Sequence, residues 1–350
     1  MITNFLIDSR FGGPHTILKH LYSNTNYQNK TIYLDKNYMN FKFSNLKKFN
    51  NFFYIFDIFY NFLKLYMKKK TFNKSNVFFV FSIVNIIPIL LGISLKKKII
   101  WYIIEKPDKL FYSIFKILNY FYKIEVVCIC KSIAQQLKQK KYKVYFPAIN
   151  NSFWKNTKKT NNKKINLTCV GNINHIKNHL QLIFFLQEAE INYNLNIVGK
   201  KLDSQKKYYS ELRSKINKIN LDKKNFIKIH NNKGPIFIKK MLEKTDIYIL
   251  PSKSEGMSIS LAEAMSMNQL CMVSNLSNHS KLILHKVNGF EFKLEKRSFI
   301  KIFKEIILLD EQKLKNIKKQ ARKTILDVVE KNKVFEINFK NMFFSNLRSN

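Results

Sequence analysis

Glycine, proline, cysteine and arginine are all scarce in this chain of 350 residues, and the scarcities exclude several classes of protein. Eight glycines and six prolines exclude a collagen-like or proline-rich fibre. The four cysteines, Cys128, Cys130, Cys169 and Cys271, form no CxxC pair or regular ladder. They therefore favour buried thiols in a reducing compartment over a disulfide framework. The amino terminus lacks a basic segment followed by an apolar run, so we expect no signal peptide.

Acidic residues are also few: 23 Asp and Glu stand against 62 Lys and Arg, which gives a formal net charge of +39. Such a charge suggests a polyanionic partner, either nucleic acid, an anionic membrane or a phosphorylated substrate. Only five of the basic residues are arginine, the residue that nucleic-acid readers use for bidentate contacts. The charge is also spread evenly, with +12 in the first 100 residues and +27 in the other 250. We therefore expect no nucleic-acid partner.

Long apolar runs are rare, and residues 77–95 are the one serious candidate for a membrane span. The run is uncharged and is flanked by Lys74 and by the lysines at 96–98. Asn85 and Pro88 interrupt it, and they favour a different interpretation, in which a buried strand is followed by a polar turn and a buried helix.

Two further segments, 52–70 and 110–123, combine aromatic residues at helical spacing with lysines. Both fit ordinary helices that face a core. Both also fit helices that lie in the headgroup plane of a membrane. In that case the lysines at 68–70 and 96–98 would bring the protein to an anionic surface.

Strand and helix patterns alternate along the chain, which is typical of parallel sheets covered by helices on both faces. The alternation stops in a polar stretch at 151–164 and then starts again, with strand patterns at INLTCVG, YNLNIVG, FIKIHN, DIYILPS and LCMVSN. The sequence therefore predicts an α/β protein with two tandem, Rossmann-like, doubly wound domains, 1–150 and 165–320, joined by a linker. The last helical pattern runs from about 298 to 345, and its final part, 321–350, could pack back on the first domain. We expect ligands at the carboxyl ends of the strands and in a cleft between the domains.

The most informative segment is DIYILPSKSEGMSISLAEAMS, at 246–266. A buried strand ends at Pro251, a polar loop carries Glu255, and a helix begins near Ser258 and carries Glu263. The two glutamates lie eight positions apart, about 12 Å in a helix, which is too far for an acid–base pair on one bond. The spacing suits two contacts with an extended ligand, whose phosphate could meet the free N–H groups of the helix start. A helix with an acidic first turn and an exposed second glutamate would explain the same residues without a ligand.

This segment resembles the E-x7-E signature of retaining glycosyltransferases of family 4, which have the GT-B fold. Its flanks resemble the same family, with LPSKSEG before it and EAM and the strand LCMVSN after it. Two segments upstream and one triplet downstream also resemble the family. They are LTCVGNINHIKNHLQLI, NLNIVGKKLDSQKKYYSEL and NGF at 288–290. The resemblance covers residues 165–292 well. It covers the first domain more weakly, through a double glycine after the first strand and KSIAQQL at 131–137.

The resemblance implies a binding site for a nucleotide-diphosphate sugar. Glu255 would contact the donor sugar, Glu263 would bind the ribose, and Lys177 would neutralise the diphosphate leaving group. Other positions would line the same donor mainly through their backbone: Gly12, Gly13, Gly171, Asn172, Gly256, Met257 and Ser258.

Several positions depart from the family pattern. Asn172 stands where the family usually has arginine, and Asn268 and Leu270 replace its glycine and proline. Glu105 stands beside the place of a frequent histidine, which makes it the candidate on the acceptor side.

His175 and His179 lie four residues apart and could form a metal pair, but no third ligand accompanies them. The alternative is a loop residue and a helix-start residue beside Lys177. The resemblance implies no metal and no other cofactor, because cations and helix dipoles carry the diphosphate charge.

The resemblance as a whole implies a retaining glycosyltransferase that moves a sugar to a cell-surface glycan acceptor, in lipid-linked polysaccharide, capsule or lipopolysaccharide biosynthesis. Such an enzyme would be cytoplasmic and peripheral at the inner face of a bacterial membrane. The alternative is a catalytically inactive protein of the same fold that binds at the membrane.

Overall fold

The computed structural model describes residues 1–6, 15, 17–18, 22, 28–34, 51–105, 108–138, 143–145, 154, 164–222, 224–276 and 282–344. Within these ranges, side chains are left aside at 51–57, 329 and 331–344. The chain divides into two units, one formed by Met1–Ala148 with Asn332–Asn350 and the other by Ile149–Lys331.

The strands of the first unit are β1 (Ile2–Leu6), β2 (Asn29–Tyr33), β3 (Val77–Phe81), β4 (Lys98–Ile103), β5 (Glu125–Cys128) and β6 (Lys143–Val144). They form one parallel sheet in the order β2-β1-β3-β4-β5-β6. Strand β3 consists of Val and Phe alone and is buried along its whole length, as expected of a central strand covered on both faces.

The helices described in this unit are α1 (Asn51–Met67), α2 (Ile86–Ser94), α3 (Lys109–Phe121) and α4 (Lys131–Gln136). Asp108 caps α3 by accepting a hydrogen bond from the N–H of Phe111 at 2.9 Å. The apolar run at 77–95 is divided between β3 and α2, so its interpretation as a strand followed by a helix is confirmed. Across the described part of the chain, no helix is long and apolar enough to cross a membrane.

The second unit contains β7 (Ile165–Val170), β8 (Tyr193–Gly199), β9 (Phe226–Asn231), β10 (Ile247–Leu250), β11 (Leu270–Ser274) and β12 (Phe290–Phe292). These strands form a parallel sheet in the order β12-β11-β10-β7-β8-β9. The sequence patterns predicted all of them except β12. The winding direction reverses between β7 and β10, and open α/β sheets bind ligands at the carboxyl edge of such a switch point.

The helices of the second unit are α5 (His179–Glu188), α6 (Lys206–Leu221), α7 (Pro235–Leu242), α8 (Ile259–Ser266), α9 (Lys296–Ile307) and α10 (Glu311–Phe344). The rings of Phe185 and Phe299 pack in the core between α5 and α9, with centroids 5.2 Å apart. The helical pattern predicted from about 298 to 345 is two helices. Asp310 separates them and caps α10, since its Oδ1 accepts a hydrogen bond from the N–H of Lys313 at 2.7 Å.

Most of the predicted linker at 151–164 lies outside the described residues, but Trp154 is described. Its side chain is buried, and its C=O accepts hydrogen bonds from Ser266 Oγ at 3.2 Å and from Arg322 at 3.1 Å. These contacts lie within the second unit, which begins at Ile149. The last part of α10, from residue 332, belongs to the first unit.

Candidate functional site

Two loops at the switch point of the second sheet carry most of the predicted site residues. One loop follows β7 and the other follows β10, and these strands are neighbours in the sheet. The N–H of Lys253 donates a hydrogen bond to the C=O of Ile176 at 2.8 Å, which joins the two loops. The predicted residues on them are Gly171, Asn172, Lys177, Glu255, Gly256, Met257 and Ser258.

Lys177 and Glu255 form an ion pair between Nζ and Oε1. Their side chains are only 18% and 10% exposed, so the pair is largely shielded from water. The N–H of Lys177 also donates to Asn174 Oδ1 at 2.9 Å, which fixes the point from which the lysine side chain starts. The structure therefore brings together two residues to which the resemblance gives separate roles, one at the diphosphate and one at the sugar.

Two glycines leave room for this lysine. A Cβ atom on Gly171 would lie 2.9 Å from Cε and 3.1 Å from Cδ of Lys177. A Cβ atom on Gly199, at the end of β8, would lie 1.8 Å from the carbonyl oxygen of Gly171. Gly171 therefore leaves room for the lysine stem, and Gly199 leaves room for the backbone of Gly171 that lies under it.

Ser252 contacts Glu255, and no sequence motif singled this serine out as a site residue. Its hydroxyl donates to Glu255 Oε1 at 2.5 Å, and its C=O accepts a hydrogen bond from Ser274 Oγ at 2.6 Å. Both serines are fully buried. The LPS triplet before Glu255 could have indicated Ser252, because a buried serine at the end of a strand needs a hydrogen-bond partner.

Ser258 caps α8, as predicted for a helix that begins near it. Its Oγ accepts a hydrogen bond from the N–H of Leu261 at 3.2 Å and lies 3.1 Å from Ser260 Oγ. The Ser260 hydroxyl in turn lies 3.1 Å from the C=O of Val170, to which it donates. The start of α8 is therefore tied to the end of β7, and Gly256 and Met257 are half-buried just before it.

Glu263 lies in α8 and is half-buried. Burial raises the pKa of its carboxyl group to about 8. Burial alone causes this shift, and no hydrogen bond or charge from the described residues offsets it. A ligand with hydroxyl donors would therefore favour the charged form.

The groups beneath the ion pair are neutral. Burial raises the pKa of the Cys169 thiol to about 12, while Lys177 lowers it and Glu255 raises it by smaller amounts. Burial also raises the pKa of Tyr248 well above its ordinary value, and its hydroxyl donates to Ser260 Oγ at 2.8 Å. Lys177 and Glu255 thus stand as opposite charges on a layer of uncharged side chains.

The two histidines of the possible metal pair lie in different environments. His175 is exposed, and its Nδ1 lies 3.1 Å from Gln205 Oε1. His179 is fully buried, and neither ring nitrogen has a hydrogen-bond partner in the described structure. Burial, followed by the charge of Lys177, lowers its pKa to about 3. Within the described ranges, no three His, Cys, Asp or Glu side chains are grouped so as to hold a metal ion; the expectation of a metal-free site stays a prediction.

Glu105 follows β4 at the carboxyl edge of the first sheet. It accepts hydrogen bonds from the hydroxyl of Ser82 and, at 2.8 Å, from the N–H of Ile83, both in the loop after β3. Ser82 has a φ of 78°, in the left-handed region, so Glu105 supports a strained turn. Burial raises the pKa of Glu105. Its role on the acceptor side stays a prediction, and Gly12 and Gly13 lie outside the described residues.

A family model described as "Glycosyl transferases group 1" matches residues 150–324, which is half of the chain. The chain belongs to this family. The match covers both loops of the site and the E-x7-E segment. It confirms the predicted family and the predicted enzyme class, a glycosyltransferase.

A relative from Escherichia coli is named UDP-Gal:alpha-D-GlcNAc-diphosphoundecaprenol alpha-1,3-galactosyltransferase. It is 31% identical over 91 residues, which are 26% of this chain and 23% of the relative. The chain therefore matches less than a quarter of that relative's length.

Several solved structures have a similar fold over nearly the whole chain. A glycosyltransferase from Rickettsia africae ESF-5 has a TM-score of 0.75 at 15% identity, covering 100% of this chain and 99% of its own. Anabaena Alr3699/HepE, in complex with UDP and glucose, has a TM-score of 0.77 at 13% identity, covering 97% and 99%. Sucrose-phosphate synthase from Thermosynechococcus elongatus has a TM-score of 0.78 at 10% identity, covering 98% and 99%. These likenesses show the fold alone, and they confirm the predicted GT-B class with its two doubly wound sheets.

Proposed function

We propose that the chain is a retaining glycosyltransferase that transfers a sugar from a nucleotide-diphosphate sugar to a glycan acceptor carried on a lipid. The shielded Lys177–Glu255 pair at the switch point carries this proposal. The bond to be broken joins a sugar to a diphosphate. A cation that can face the diphosphate stands beside a carboxylate that can accept hydrogen bonds from sugar hydroxyls.

The helix after this loop supplies two further contacts with the donor. The N–H groups at Gly256, Met257 and Ser258 precede the first turn of α8 and would face phosphate or sugar oxygens. The ribose hydroxyls would donate to Glu263, whose carboxylate is otherwise uncompensated by the described side chains. A donor that spans Glu255 and Glu263 accounts for both carboxylates.

We infer that the reaction needs no metal ion. Lys177 and the dipole of α8 would carry the charge that develops on the departing nucleoside diphosphate. Addition of EDTA should leave the rate of transfer unchanged, and a requirement for added Mg²⁺ or Mn²⁺ would contradict this part of the proposal.

The names of the similar proteins suggest which substrates to test first. The relative from Escherichia coli is named for UDP-galactose and a diphosphoundecaprenol-linked acceptor, and the Anabaena protein was solved with UDP and glucose. Uridine-diphosphate hexoses and a lipid-diphosphate-linked sugar are therefore the first donors and acceptor for this chain. Such an acceptor belongs to the synthesis of lipid-linked polysaccharide, capsule or lipopolysaccharide.

We further propose that the first unit rests on the anionic inner face of the cytoplasmic membrane. Helices α1 and α3 expose large apolar side chains, among them Met67 at 83% and Tyr120 at 84%. Lysines 68–70, directly after α1, are exposed. Aromatic and aliphatic groups next to lysines are typical of surfaces that insert into anionic headgroups.

A donor screen tests the proposed reaction. Release of nucleotide from UDP-, GDP- and ADP-sugars is scored with and without a lipid-linked acceptor, and the anomeric configuration of the product is read by NMR. Glu255→Ala and Glu263→Ala should lower the rate at least about 100-fold with the fold intact. Glu188→Gln, in an exposed pair with Lys296, should leave the rate unchanged. Full activity of both alanine variants would contradict the assignment, and an inverted product would contradict retention.

A catalytically inactive binding protein is the second candidate, and Asn172 favours it. This residue is exposed in the loop after β7, where the family usually has an arginine, so one expected cation is replaced by an amide. Calorimetry with UDP- and GDP-sugars separates the two candidates. Absence of donor binding at millimolar concentration would favour the inactive protein.

Binding to vesicles tests the membrane surface. The protein should sediment with vesicles that contain anionic lipid and should be released by high salt. Replacing lysines 68–70 with glutamine should weaken this binding. The same change at the exposed lysines 315, 319 and 323 of α10 removes equal charge and should weaken it less. An equal effect of both triple changes would contradict a localised surface.

A further inference from the structure

We propose that the Lys177–Glu255 ion pair is exchanged when a donor binds, so that the site prefers an intact nucleotide sugar to the sugar-free nucleoside diphosphate. The inference rests on the proposed function. It adds a specificity that arises from the contact between the two residues and that neither residue would have alone.

The Lys177–Glu255 ion pair is largely shielded from water. Lys177 and Glu255 are 18% and 10% exposed, and Ser252 also donates to Glu255 Oε1. When two charges are held together away from water, removing one of them leaves the other poorly solvated. A ligand that draws Lys177 away therefore binds more tightly if it also supplies Glu255 with a new hydrogen-bond donor.

A nucleoside diphosphate alone brings no group that takes the place of Lys177 at Glu255. Its phosphates attract Lys177, but they bring no hydrogen-bond donor to the carboxylate that loses its cation. Glu255 would then be a shielded anion close to another anion, which weakens the binding of the ligand.

A nucleotide sugar brings the missing donors. Hydroxyl groups of the sugar donate to Glu255 in place of the Lys177 ammonium, and Lys177 is then free to face the diphosphate. After the sugar has been transferred, Glu255 loses these donors and attracts Lys177 again. The affinity of the site for the nucleoside diphosphate therefore falls when this product has to leave.

The local structure allows Lys177 to change partner without a change of backbone. Its N–H is fixed by Asn174 Oδ1 at 2.9 Å, and its stem lies over Gly171, where no Cβ obstructs it. Lysine has a flexible four-carbon stem and three donors that rotate, so side-chain torsions alone can move its charge.

Calorimetry with UDP and with UDP-glucose or UDP-galactose tests the exchange on the whole chain, with GDP as a second probe. Glu255→Gln should bind UDP at least about tenfold more tightly than the wild type does and should bind the UDP-sugar more weakly. In a Lys177→Gln background, the same change should improve UDP binding by less than about threefold. This difference between backgrounds is the coupling that an exchanged lysine requires.

Equal gains in UDP affinity in both backgrounds would show plain repulsion between Glu255 and phosphate and would overturn the inference alone. Absence of UDP, GDP and ADP binding to all variants at millimolar concentration would overturn the proposed function together with the inference.

Glu188→Gln is the control variant, because it breaks the exposed Lys296–Glu188 pair of 3.0 Å and should leave UDP affinity unchanged. Glu255→Ala should shift UDP affinity in the same direction as Glu255→Gln, and circular dichroism checks that each variant folds.

Discussion

Glu263 is an acid whose buried position should make the stability of the ligand-free protein sensitive to pH. Its pKa is about 8 in the folded chain, against an ordinary value of 4.5. Between these values the folded chain keeps a proton that the unfolded chain has released, so the free energy of unfolding falls as pH rises. Glu263→Gln cannot titrate, and it should be more stable than the wild type by about 1–2 kcal/mol at pH 8 but not at pH 5.

Thermal unfolding of both proteins at pH 5, 6.5 and 8 measures this difference. Glu188→Gln is the matched control, because its carboxylate is exposed and paired with Lys296. A stability difference for Glu263→Gln that does not change with pH would contradict the raised pKa. The same variant should bind donor less well, which would show that the destabilising carboxylate is kept for its ligand.

His179 should give the opposite dependence on pH. Burial lowers its pKa to about 3 from 6.5, so between these values the unfolded chain binds a proton that the folded chain excludes. The free energy of unfolding should therefore fall as pH drops below 6.5, by about 2 kcal/mol at pH 5 from this residue. His179→Leu should remove that part of the acid sensitivity in urea unfolding at pH 5 and 7.5. The same substitution at exposed His175 should not, and equal effects at both sites would contradict the assignment.

The ends of strands β7 and β8 approach so closely that Gly199 tolerates no side chain. A Cβ atom there would lie 1.8 Å from the carbonyl oxygen of Gly171, and backbone cannot yield as a flexible side chain does. Gly199→Ala should lower the free energy of unfolding by about 2–3 kcal/mol and should also displace Lys177.

Gly234→Ala is the matched control for this prediction. Nothing lies within 4 Å of its Cβ position, and its φ of −82° suits any residue. Its loss of stability should be at most about 1 kcal/mol, since it changes only the cap of α7. Urea unfolding and UDP binding measure both variants, and equal losses would contradict the close approach of the two strands.

The strands that hold the site were predictable from sequence, whereas the contact between the two loops was not. Apolar runs such as INLTCVG and DIYILPS identified β7 and β10, because buried parallel strands have few other compositions. Lys177 and Glu255 are far apart in sequence, and only the order of strands in the sheet makes their loops neighbours. Hydrophobic pattern does not encode that order, so the ion pair and the support from Ser252 required the structure. The short strand β12 was missed because three residues are too few to show a period.

The net charge of +39 describes the surface of the protein and does not identify the site. Exposed pairs such as Lys296–Glu188 and Lys313–Asp310 contribute little to stability or recognition. Lys177 differs from the lysines of these exposed pairs because it is shielded from water. This shielding strengthens its interaction with any phosphate beside it.

The two tryptophans of the chain report separately on the two units. Trp101 is buried in the first unit, where its Nε1 donates to the C=O of Ser82 at 2.8 Å, and Trp154 is buried in the second. Arg322 donates to the C=O groups of Trp154 and Ser266. Arg322→Gln should therefore weaken the attachment of Trp154 and destabilise the second unit by about 1–3 kcal/mol.

Fluorescence of single-tryptophan variants in urea measures this effect. With Trp101→Phe in the background, Trp154 alone reports, and Arg322→Gln should lower the midpoint of its transition. With Trp154→Phe in the background, the transition of Trp101 should stay in place, because the contacts of Trp101 lie within the first unit. Arg213→Gln removes an equal charge from the exposed face of α6 and should shift neither transition. If Arg322→Gln lowered the urea midpoints of both tryptophan transitions equally, the two units would unfold as one. The loss of two hydrogen bonds in the second unit would then destabilise the first unit as well, which would contradict this prediction.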